Sequence, residues 1–248
     1  MDLQNESSLK SKALLTRHDA LVPLPEVRVI AFTGYRHSGK TTACHTILEK
    51  KNKQYKTEWK EINFADSLKA TCRALFGFTT IQTDFDKETV DSFWGITPRV
   101  ALQKFGTEVV RNTLGKQIGY AEDSHHHWHA MFYRTVLNAV IYGVHSKTDP
   151  LYILVGDLRF PDEAAFLMKN FNTRIFYILN PRTEPEDKLH LHESEIHIGT
   201  FPVHKIIENR LDIQTFKENI KKTINSIDFS VNEEMFIPHD NLLINFKN

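Results

Sequence analysis

The stretch Gly34-Tyr35-Arg36-His37-Ser38-Gly39-Lys40-Thr41-Thr42 decides the fold. It fits the phosphate-binding loop pattern G-x-x-x-x-G-K-[ST] at every fixed position. The apolar, β-branched run Val27–Phe32 precedes it and predicts a buried strand, and the run Thr42–Lys50 that follows predicts a helix. A strand, a tight loop and a helix in this order aim backbone N–H groups and a helix N-terminus at one point, which attracts polyphosphate.

Chemistry assigns a role to each fixed residue of this loop. Gly34 and Gly39 let the backbone turn tightly and approach oxygen atoms that a Cβ would block. The Lys40 ammonium reaches the β- and γ-phosphates, and the Thr41 hydroxyl is placed to bind Mg²⁺. The alternative is a chance match in a glycine-containing loop. The motif predicts nucleotide binding, and the residues expected to bind the nucleotide are Gly34, Arg36, His37, Ser38, Gly39, Lys40, Thr41 and Thr42.

Composition bounds the class of protein. A chain of 248 residues has the length of one large domain or of a domain with a small insert, and its 41% apolar content excludes global disorder. Basic and acidic residues balance at 31 each, so charge gives no argument for a nucleic-acid or membrane partner. Two cysteines, Cys44 and Cys72, are too few for a disulfide framework and indicate a reducing, cytoplasmic location. Residues 1–26 lack a signal-peptide core and are expected to form a flexible extension.

The predicted fold class is α/β, with a five-stranded parallel sheet and helices on both faces. Helical patterns separate the strands, which favours right-handed crossovers. Ligands of such sheets bind at the carboxyl ends of the strands, so residues just after each strand are candidates. The predicted strands are Val27–Phe32, Trp59–Phe64, Leu151–Val155, Thr173–Leu179 and His204–Glu208.

A helix is predicted directly after the second strand. Asp66 suits its start and Gly77 its end. Lys69 and Arg73 stand four residues apart on one face, which spacing alone explains as a solvated surface. The predicted apolar stripe is Leu68, Cys72 and Leu75.

A second helix opens at Thr97-Pro98, with Thr97 as cap and Pro98 in the first turn. Its polar stripe could hold a phosphate and a base edge, or could be a plain exposed face, and Glu108 lies beside it. The aperiodic segment before it, about 78–96, is either a flexible substrate cover or a surface excursion. The predicted apolar stripe is Leu102, Phe105 and Val109, and the polar stripe is Arg99, Gln103, Thr107 and Arg111.

The run His125-His126-His127-Trp128-His129 invites a metal interpretation. Consecutive histidines point in different directions, and no set of Cys or carboxylate ligands completes a site, so a metal is the weaker hypothesis. Trp128 begins a long amphipathic helix to about His145 and suits a structural anchor.

The second strong signal is Gly156-Asp157-Leu158-Arg159, directly after a buried strand. An Asp in this place holds Mg²⁺ in phosphate-loop enzymes, usually through water, and Arg159 is near enough in sequence to reach a transferred phosphoryl group. The alternative is a solvated turn. Further along, the polar segment 181–202 is placed like a lid over the phosphates, and Asp212 caps a final helix.

These motifs together resemble one family, the deoxynucleoside monophosphate kinases of large DNA bacteriophages and related viral genomes. The resemblance covers roughly 27–224. The matching pieces are Gly34–Thr42, Phe64–Lys69 with Leu75–Gly77, Thr97–Arg99 with Leu102-Gln103 and Gly106–Glu108, Asp157–Ala164, and His192–Glu195. The Asp157–Ala164 block is the most specific of them, because unrelated enzymes share the phosphate loop.

The resemblance implies a P-loop, nucleoside monophosphate kinase-like fold and the reaction ATP + dNMP → ADP + dNDP, with Mg²⁺, for DNA precursor synthesis. It implies a kinase domain at 27–227, with an acceptor-binding insert at about 65–125, a lid at about 181–202 and a tail at 228–248. It implies catalytic roles for Lys40, Asp157, Arg159 and Arg182, and metal binding by Thr41 and Asp157. The implied substrate-binding residues are Asp66, Lys69, Arg73, Arg99, Gln103, Glu108, Arg111 and Trp128.

Several alternatives stay open at this stage. Another small-molecule kinase, of the phosphomevalonate or dephospho-coenzyme A type, would share the fold, and a nucleotide-binding module with little turnover would share the loop. A polynucleotide end kinase would need a basic groove, which the neutral charge does not support. The sequence leaves open the base accepted and the oligomeric state, a homodimer included. Arg182 and Lys188 are the only lysine or arginine residues of the segment 181–202, so the cation that neutralises the transferred phosphoryl is also open, with Arg36 one candidate.

Overall fold

The computed structural model of the chain describes residues 26–54, 58–119, 126–143, 149–185, 191–210 and 212–238. Five parallel strands form one sheet in the order β2-β3-β1-β4-β5, which confirms the predicted fold class. The strands are β1 (Val27–Thr33), β2 (Trp59–Glu61), β3 (Leu151–Val155), β4 (Asn172–Leu179) and β5 (Lys205–Glu208).

Helices follow the strands and cover both faces of the sheet. They are α1 (Lys40–Gln54), α2 (Ala65–Phe76), α3 (Thr80–Asp84), α4 (Pro98–Gln103), a π-helix (Lys104–Leu114), α5 (Gly115–Ile118), α6 (His126–Tyr142), α7 (Pro161–Asn170), α8 (Glu193–Ile196) and α9 (Ile213–Asn225). The predicted caps are confirmed at Thr97, whose hydroxyl accepts the Val100 N–H, and at Asp212, which accepts from Gln214 and Thr215. Gly77 ends α2 in the left-handed conformation. No helix among the described residues is long and apolar enough to cross a membrane.

Alternating side chains of the central strands build two cores. In β1, Val29 and Ala31 face α6 and α7, whereas Ile30 and Phe32 face α1 and α9. The strands are apolar on both faces because helices cover both, as expected for a parallel sheet. Residues 65–119, which we call the helical insert, also contain a small core of their own around Cys72, Phe78 and Ala101. Both cysteines are free and buried.

Strand β2 is shorter than predicted and ends at Glu61 instead of Phe64. Ile62 still donates to the carbonyl of Leu154, but the chain then turns into α2. The Asp66 carboxylate accepts the Asn63 N–H at 2.8 Å and closes this turn, so it does not cap the helix as predicted. Phe64 leaves the sheet and stacks on Phe132 of α6, with ring centroids 4.5 Å apart.

Two predicted apolar stripes are partly wrong. Leu75 is 55% exposed, because the insert core lies on the side of α2 that Cys72 and Phe76 occupy. Val109 is 44% exposed, whereas Val110 is buried. A stripe drawn with the α-helical period fails here because the chain from Lys104 to Leu114 is a π-helix, with a wider turn that shifts the helix phase.

Part of the C-terminal segment packs on the sheet. Arg174 of β4 donates from one nitrogen to the carbonyls of Asp228 and Val231, and Phe236 forms a β-bridge with Val203. Phe229 packs with the face that α1 and α9 cover. Residues 228–238 thus close the amino-terminal edge of the sheet around Arg174.

Candidate nucleotide-binding site

One cavity of about 780 Å³ opens at the carboxyl edge of the sheet. Its wall is formed by the phosphate-binding loop, the residues after β2 and β3, and the helical insert. This volume lies within the range of small-molecule sites in proteins. Seven lysine and arginine residues and five carboxylates line it, although the whole chain has no net charge. The cavity is therefore a local basic site, as a polyphosphate ligand requires.

The two loop glycines occupy backbone conformations that other residues rarely adopt. The φ angle is 142° at Gly34 and 116° at Gly39. A Cβ on Gly34 would lie 2.6 Å from the carbonyl oxygen of Ile178, and one on Gly39 would lie 2.8 Å from the Asn209 amide nitrogen. His37 between them also has a positive φ, of 62°. The loop thus has the tight curvature that turns backbone N–H groups toward an anion.

The Lys40 ammonium lies inside the curve of the loop. It donates to the carbonyls of Gly34 and Tyr35 at 2.6 and 2.7 Å, and Lys40 is only 8% exposed. Burial, with the charge of Arg159 second, lowers the pKa of Lys40 to about 7. An anion beside this ammonium would reverse that shift, because an opposite charge favours the protonated form.

Two asparagines that the sequence analysis missed brace the loop. Asn209 donates to the carbonyl of Ser38 at 2.8 Å, and Asn180 donates to that of His37 at 3.5 Å. Each follows directly after a strand, β5 and β4 respectively. The rule that informative residues follow the strands would have found both.

Asp157 connects β3 to the helical insert. Its two carboxylate oxygens accept the N–H groups of Phe64 and Ala65 at 3.0 and 2.8 Å, at the start of α2. The carbonyl oxygen of the Asn63 side chain accepts the Gly156 N–H at 2.7 Å. Asp157 thus satisfies N–H groups at the start of α2 and fixes that end of the helix, in addition to lining the cavity.

The oxygen donors in this part of the cavity fit Mg²⁺. The Thr41 hydroxyl and the carboxylates of Asp157 and Glu61 all line it, and each Asp157 oxygen keeps a lone pair beyond its N–H bond. Among the described residues no cluster of three or more His, Cys, Asp or Glu side chains is arranged as a metal cage. Mg²⁺ commonly binds through one or two carboxylates together with substrate phosphates and water. Glu61 was missed by the sequence analysis, although it ends β2.

Glu163 holds Arg111 by a buried ion pair and Arg159 by its backbone N–H, and both arginines line the cavity. Arg111 pairs with Glu163 and Asp162, and its guanidinium lies 3.8 Å from the Phe160 ring centroid. The second Glu163 oxygen accepts the N–H groups of Arg159 and Phe160. Burial raises the pKa of Glu163 to about 7, against the opposing charge of Arg111. Arg111 lines the cavity, but its guanidinium is already paired.

The two cations of α2, Lys69 and Arg73, both form ion pairs with the carboxylate of Asp84. Lys69 pairs with Asp84 at 2.8 Å and lines the cavity together with Asp66. Arg73 bonds to Thr83 and Asp84 and does not line the cavity. Burial is the largest effect on Lys69, but the Asp84 carboxylate outweighs it and raises the pKa of Lys69. Of the two predicted cations, Lys69 alone is positioned to meet a ligand.

The polar stripe of the second helix lies along the cavity wall. In an α-helix, side chains four residues apart are displaced around the helix axis in one direction. In the wider turn of a π-helix they are displaced in the other direction. The two displacements offset each other, so the stripe stays on one face. Glu108 lies off this wall and pairs with Lys104. All four predicted stripe residues line the cavity, namely Arg99, Gln103, Thr107 and Arg111.

Two charged residues of the aperiodic segment also reach this region. Glu88 accepts from Arg99 and, at 2.7 Å, from Arg36 of the phosphate loop, and thus bridges the loop and the insert. Lys87 lines the cavity directly. No periodic pattern marks this segment, and the sequence analysis missed both residues.

The remaining predicted residues have distinct places. Trp128 is buried and donates to the carbonyl of Gly106 at 3.0 Å, as a structural anchor would, while also lining the cavity. Arg182 is exposed and does not line the cavity. His129 stacks on Phe166, with ring centroids 4.7 Å apart, and lies 3.2 Å from Asp162. His125, His145 and Lys188 lie outside the described residues.

The strict phosphate loop on a five-stranded parallel sheet defines a P-loop nucleotide-binding protein. The chain is 28% identical over 205 residues to a protein of Acanthamoeba polyphaga mimivirus named "Putative deoxynucleotide monophosphate kinase". The match covers 81% of this chain and 96% of that protein. It confirms the resemblance that the motifs indicated.

No family model matches the chain. Among solved structures, Mycobacterium tuberculosis APS kinase CysC in complex with AMPPNP and APS overlaps 82% of this chain and 99% of its own, at 11% identity and a TM-score of 0.43. Dephospho-CoA kinase from Campylobacter jejuni overlaps 80% of this chain and 96% of its own, at 15% identity and a TM-score of 0.38. Both TM-scores are low, and neither overlap bears on what this chain binds.

Proposed function

We propose that this chain transfers the γ-phosphoryl group of ATP to a deoxynucleoside monophosphate. One observation carries the proposal: a single cavity is lined both by Lys40 and Thr41 of the phosphate loop and by the insert cations Lys69, Lys87 and Arg99. A protein that only binds or hydrolyses ATP needs the first group alone. The second group provides charge for a second anionic substrate.

The mimivirus relative supports the nature of the acceptor. Its name specifies a deoxynucleotide monophosphate, and the similarity covers almost all of its length. Among the motifs by which this sequence resembles deoxynucleoside monophosphate kinases are the start of α2, which carries Lys69, and the start of α4, which carries Arg99. The region that would bind the acceptor therefore contributes to the resemblance, as well as the loop that many nucleotide-binding proteins share.

On the donor side, the loop binds triphosphate with few changes. Triphosphate oxygens take the place of the two carbonyls that the Lys40 ammonium now contacts. Asn209 and Asn180 hold the loop from β5 and β4, so its N–H groups keep their direction as the phosphates bind. When bound, Mg²⁺ supplies positive charge at the phosphate oxygens, and Thr41, Asp157 and Glu61 are the residues that would hold it.

On the acceptor side, the insert orients the attacking phosphate. Lys69 and Arg99 neutralise its charge, and Gln103 offers an amide to its base or sugar. No general base is needed, because a phosphate oxygen is already ionised and nucleophilic at neutral pH. Arg159 lies beside both groups of cations and stabilises charge on the transferred phosphoryl as the bond to ADP breaks.

The segment after β4 connects to this centre through α8. Glu195 pairs with Arg159 at 3.5 Å, and the charge of Glu195 also influences the pKa of Lys40. Glu195 thus connects this segment to two cations that would contact the phosphates. Closure of this segment excludes water and limits wasteful ATP hydrolysis.

An acceptor screen tests the proposal. Purified full-length chain is incubated with ATP and Mg²⁺ and each of the four deoxynucleoside monophosphates, and with ribonucleoside monophosphates, phosphomevalonate and dephospho-coenzyme A in parallel. We expect ADP release that depends on at least one deoxynucleoside monophosphate, with formation of an equal amount of its diphosphate. Transfer only to another acceptor, or slow hydrolysis that no acceptor stimulates, would contradict the proposal.

Replacing Glu88 with glutamine is expected to lower the KM for the monophosphate about two- to five-fold. The Glu88 carboxylate now occupies Arg99 and Arg36, and exposed ion pairs of this kind contribute roughly 0.2–1 kcal/mol. Glu88→Gln frees both guanidinium groups for substrate. Steady-state kinetics with saturating ATP measures the effect, and Glu108→Gln, an exposed carboxylate off the cavity wall, is the matched control. A raised KM would show that Glu88 serves mainly to position Arg99.

A further inference from the structure

Lys87 differs from the other cations of the cavity in its partners. Arg36, Lys69, Arg99, Arg111 and Arg159 each pair with a carboxylate, and Lys40 donates to loop carbonyls. Within the part of the chain that the structure describes, the Lys87 ammonium has no hydrogen-bond or ion-pair partner. It is half-buried and lines the cavity. It is thus a cation available to a ligand.

The surroundings of Lys87 favour an anion. Burial first, and then the charges of Lys69, Arg99 and Arg159, lower the pKa of Lys87 to about 8. The nearby Asp84 carboxylate acts in the opposite direction, but it is engaged by Lys69 at 2.8 Å and by Arg73 at 3.4 Å. Several cations gathered at a partly buried site repel one another, and a dianionic phosphate among them removes that cost.

The backbone holds Lys87 and Arg99 together. The Lys87 carbonyl accepts the Arg99 N–H at 3.0 Å, and the next residue, Glu88, accepts from the Arg99 guanidinium. The aperiodic segment is therefore fastened to the start of α4 at this point. Two cations from separate elements are held as neighbours on one wall of the cavity, which suits the several oxygens of a phosphate.

Lys40 and Lys87 lie beside different sets of charged groups. The pKa of Lys40 is influenced by the charges of Arg159, Glu195 and Asp157. Lys87 is influenced by Lys69 and Asp84 of the insert, and by Arg159. Arg159 thus lowers the pKa of both ammonium groups. Lys87 belongs to the acceptor side of this arrangement.

We infer that Lys87 binds the phosphate group of the acceptor monophosphate, together with Arg99. This inference rests on the proposed function and adds a residue of the aperiodic segment to its acceptor site. It gives that segment a definite role as one wall of the acceptor site. The alternative is that Lys87 has no role in binding, with its ammonium extended into solvent and away from any substrate.

Steady-state kinetics of Lys87→Met tests the inference, because methionine keeps the apolar stem and removes the charge. A charge-assisted hydrogen bond contributes about 1.5–3 kcal/mol, which corresponds to an increase of roughly 10- to 100-fold in the KM for the monophosphate. We expect the KM for ATP to change less than about two-fold. Lys87→Arg should recover most of the loss, and Lys87→Gln serves as a second neutral variant. Lys104→Met, an exposed lysine off the cavity wall, is the control.

The outcomes separate this inference from the function on which it rests. If wild-type protein is active and both neutral variants keep its KM for the monophosphate, the inference is wrong and the proposed function stands. An equal rise in both KM values would also overturn it, since Lys87 would then act through the general structure of the site. Wild-type protein that phosphorylates no deoxynucleoside monophosphate would overturn both.

Discussion

Replacing Lys40 with alanine is expected to lower kcat/KM by about 10²–10⁴, which is about 3–5 kcal/mol of transition-state stabilisation. The Lys40 ammonium is the buried cation at the centre of the phosphate loop, and the structure holds it among the loop carbonyls at 2.6 and 2.7 Å. Triphosphate oxygens replace those carbonyls in the proposed mechanism. Removal of the ammonium therefore leaves the transferred phosphoryl group without the positive charge that stabilises it.

The ADP-release assay with the best acceptor measures this effect. Lys169→Ala, which removes an exposed lysine of α7, is the matched control and should behave as wild type. Thermal unfolding of both variants separates loss of catalysis from loss of fold. Near-normal turnover by Lys40→Ala would show that the phosphate loop has no part in catalysis.

Arg111→Met is expected to lower the free energy of unfolding by about 3–5 kcal/mol. The variant leaves the Glu163 carboxylate buried without its counterion, and breaking one side of a buried ion pair carries a cost of this size. Chemical denaturation at pH 7.5 or so measures it. The double variant Arg111→Met/Glu163→Gln should recover much of the loss, because no uncompensated charge then remains.

The pH dependence of the Arg111→Met variant gives a second test of the same ion pair. Burial already raises the pKa of Glu163 above its ordinary value, and loss of Arg111 removes a charge that opposes this rise. A folded-state pKa above the unfolded one means that the native state gains stability as the pH falls through that range. The deficit should therefore shrink from pH 8 toward about pH 5. If Arg111→Met is as stable as wild type at every pH, Arg111 is free to bind substrate instead.

The phosphate loop and the sheet could be predicted because their signals are local. Gly34 and Gly39 have left-handed φ angles that few other residues tolerate, and the fixed spacing to Lys40 follows from that backbone. The central strands are apolar on both faces, so short buried runs such as Leu151–Val155 stand out against helical patterns. Residues that follow those strands directly, such as Asp157, were then found by position alone.

The aperiodic segment could not be predicted in this way. Lys87 and Glu88 lie in a stretch without apolar period, and what places them is a backbone hydrogen bond to Arg99 and an ion pair to Arg36. Both are contacts with residues distant in sequence. From the sequence alone, two neighbouring charged residues in such a stretch cannot be distinguished from those of an ordinary solvated loop.

For Arg111 the location was predictable but the ion-pair partner was not. The regular spacing of the polar stripe correctly brought Arg99, Gln103 and Arg111 to one cavity wall, and the resemblance implied a substrate role for each. Spacing does not reveal which of these side chains already has a partner. Glu163, on another helix, pairs with Arg111, and its burial became visible only in the packed structure.

Binding of a dinucleoside polyphosphate, in which a phosphate chain joins adenosine to a deoxynucleoside, tests most directly whether one cavity holds both substrates. The analogue spans donor and acceptor positions at once, so titration calorimetry should show one molecule per chain. We expect it to bind at least about 100-fold more tightly than ATP, and the gain should be lost in both Lys40→Ala and Arg99→Ala. An analogue that binds no more tightly than ATP, and that is indifferent to Arg99, would contradict the shared cavity.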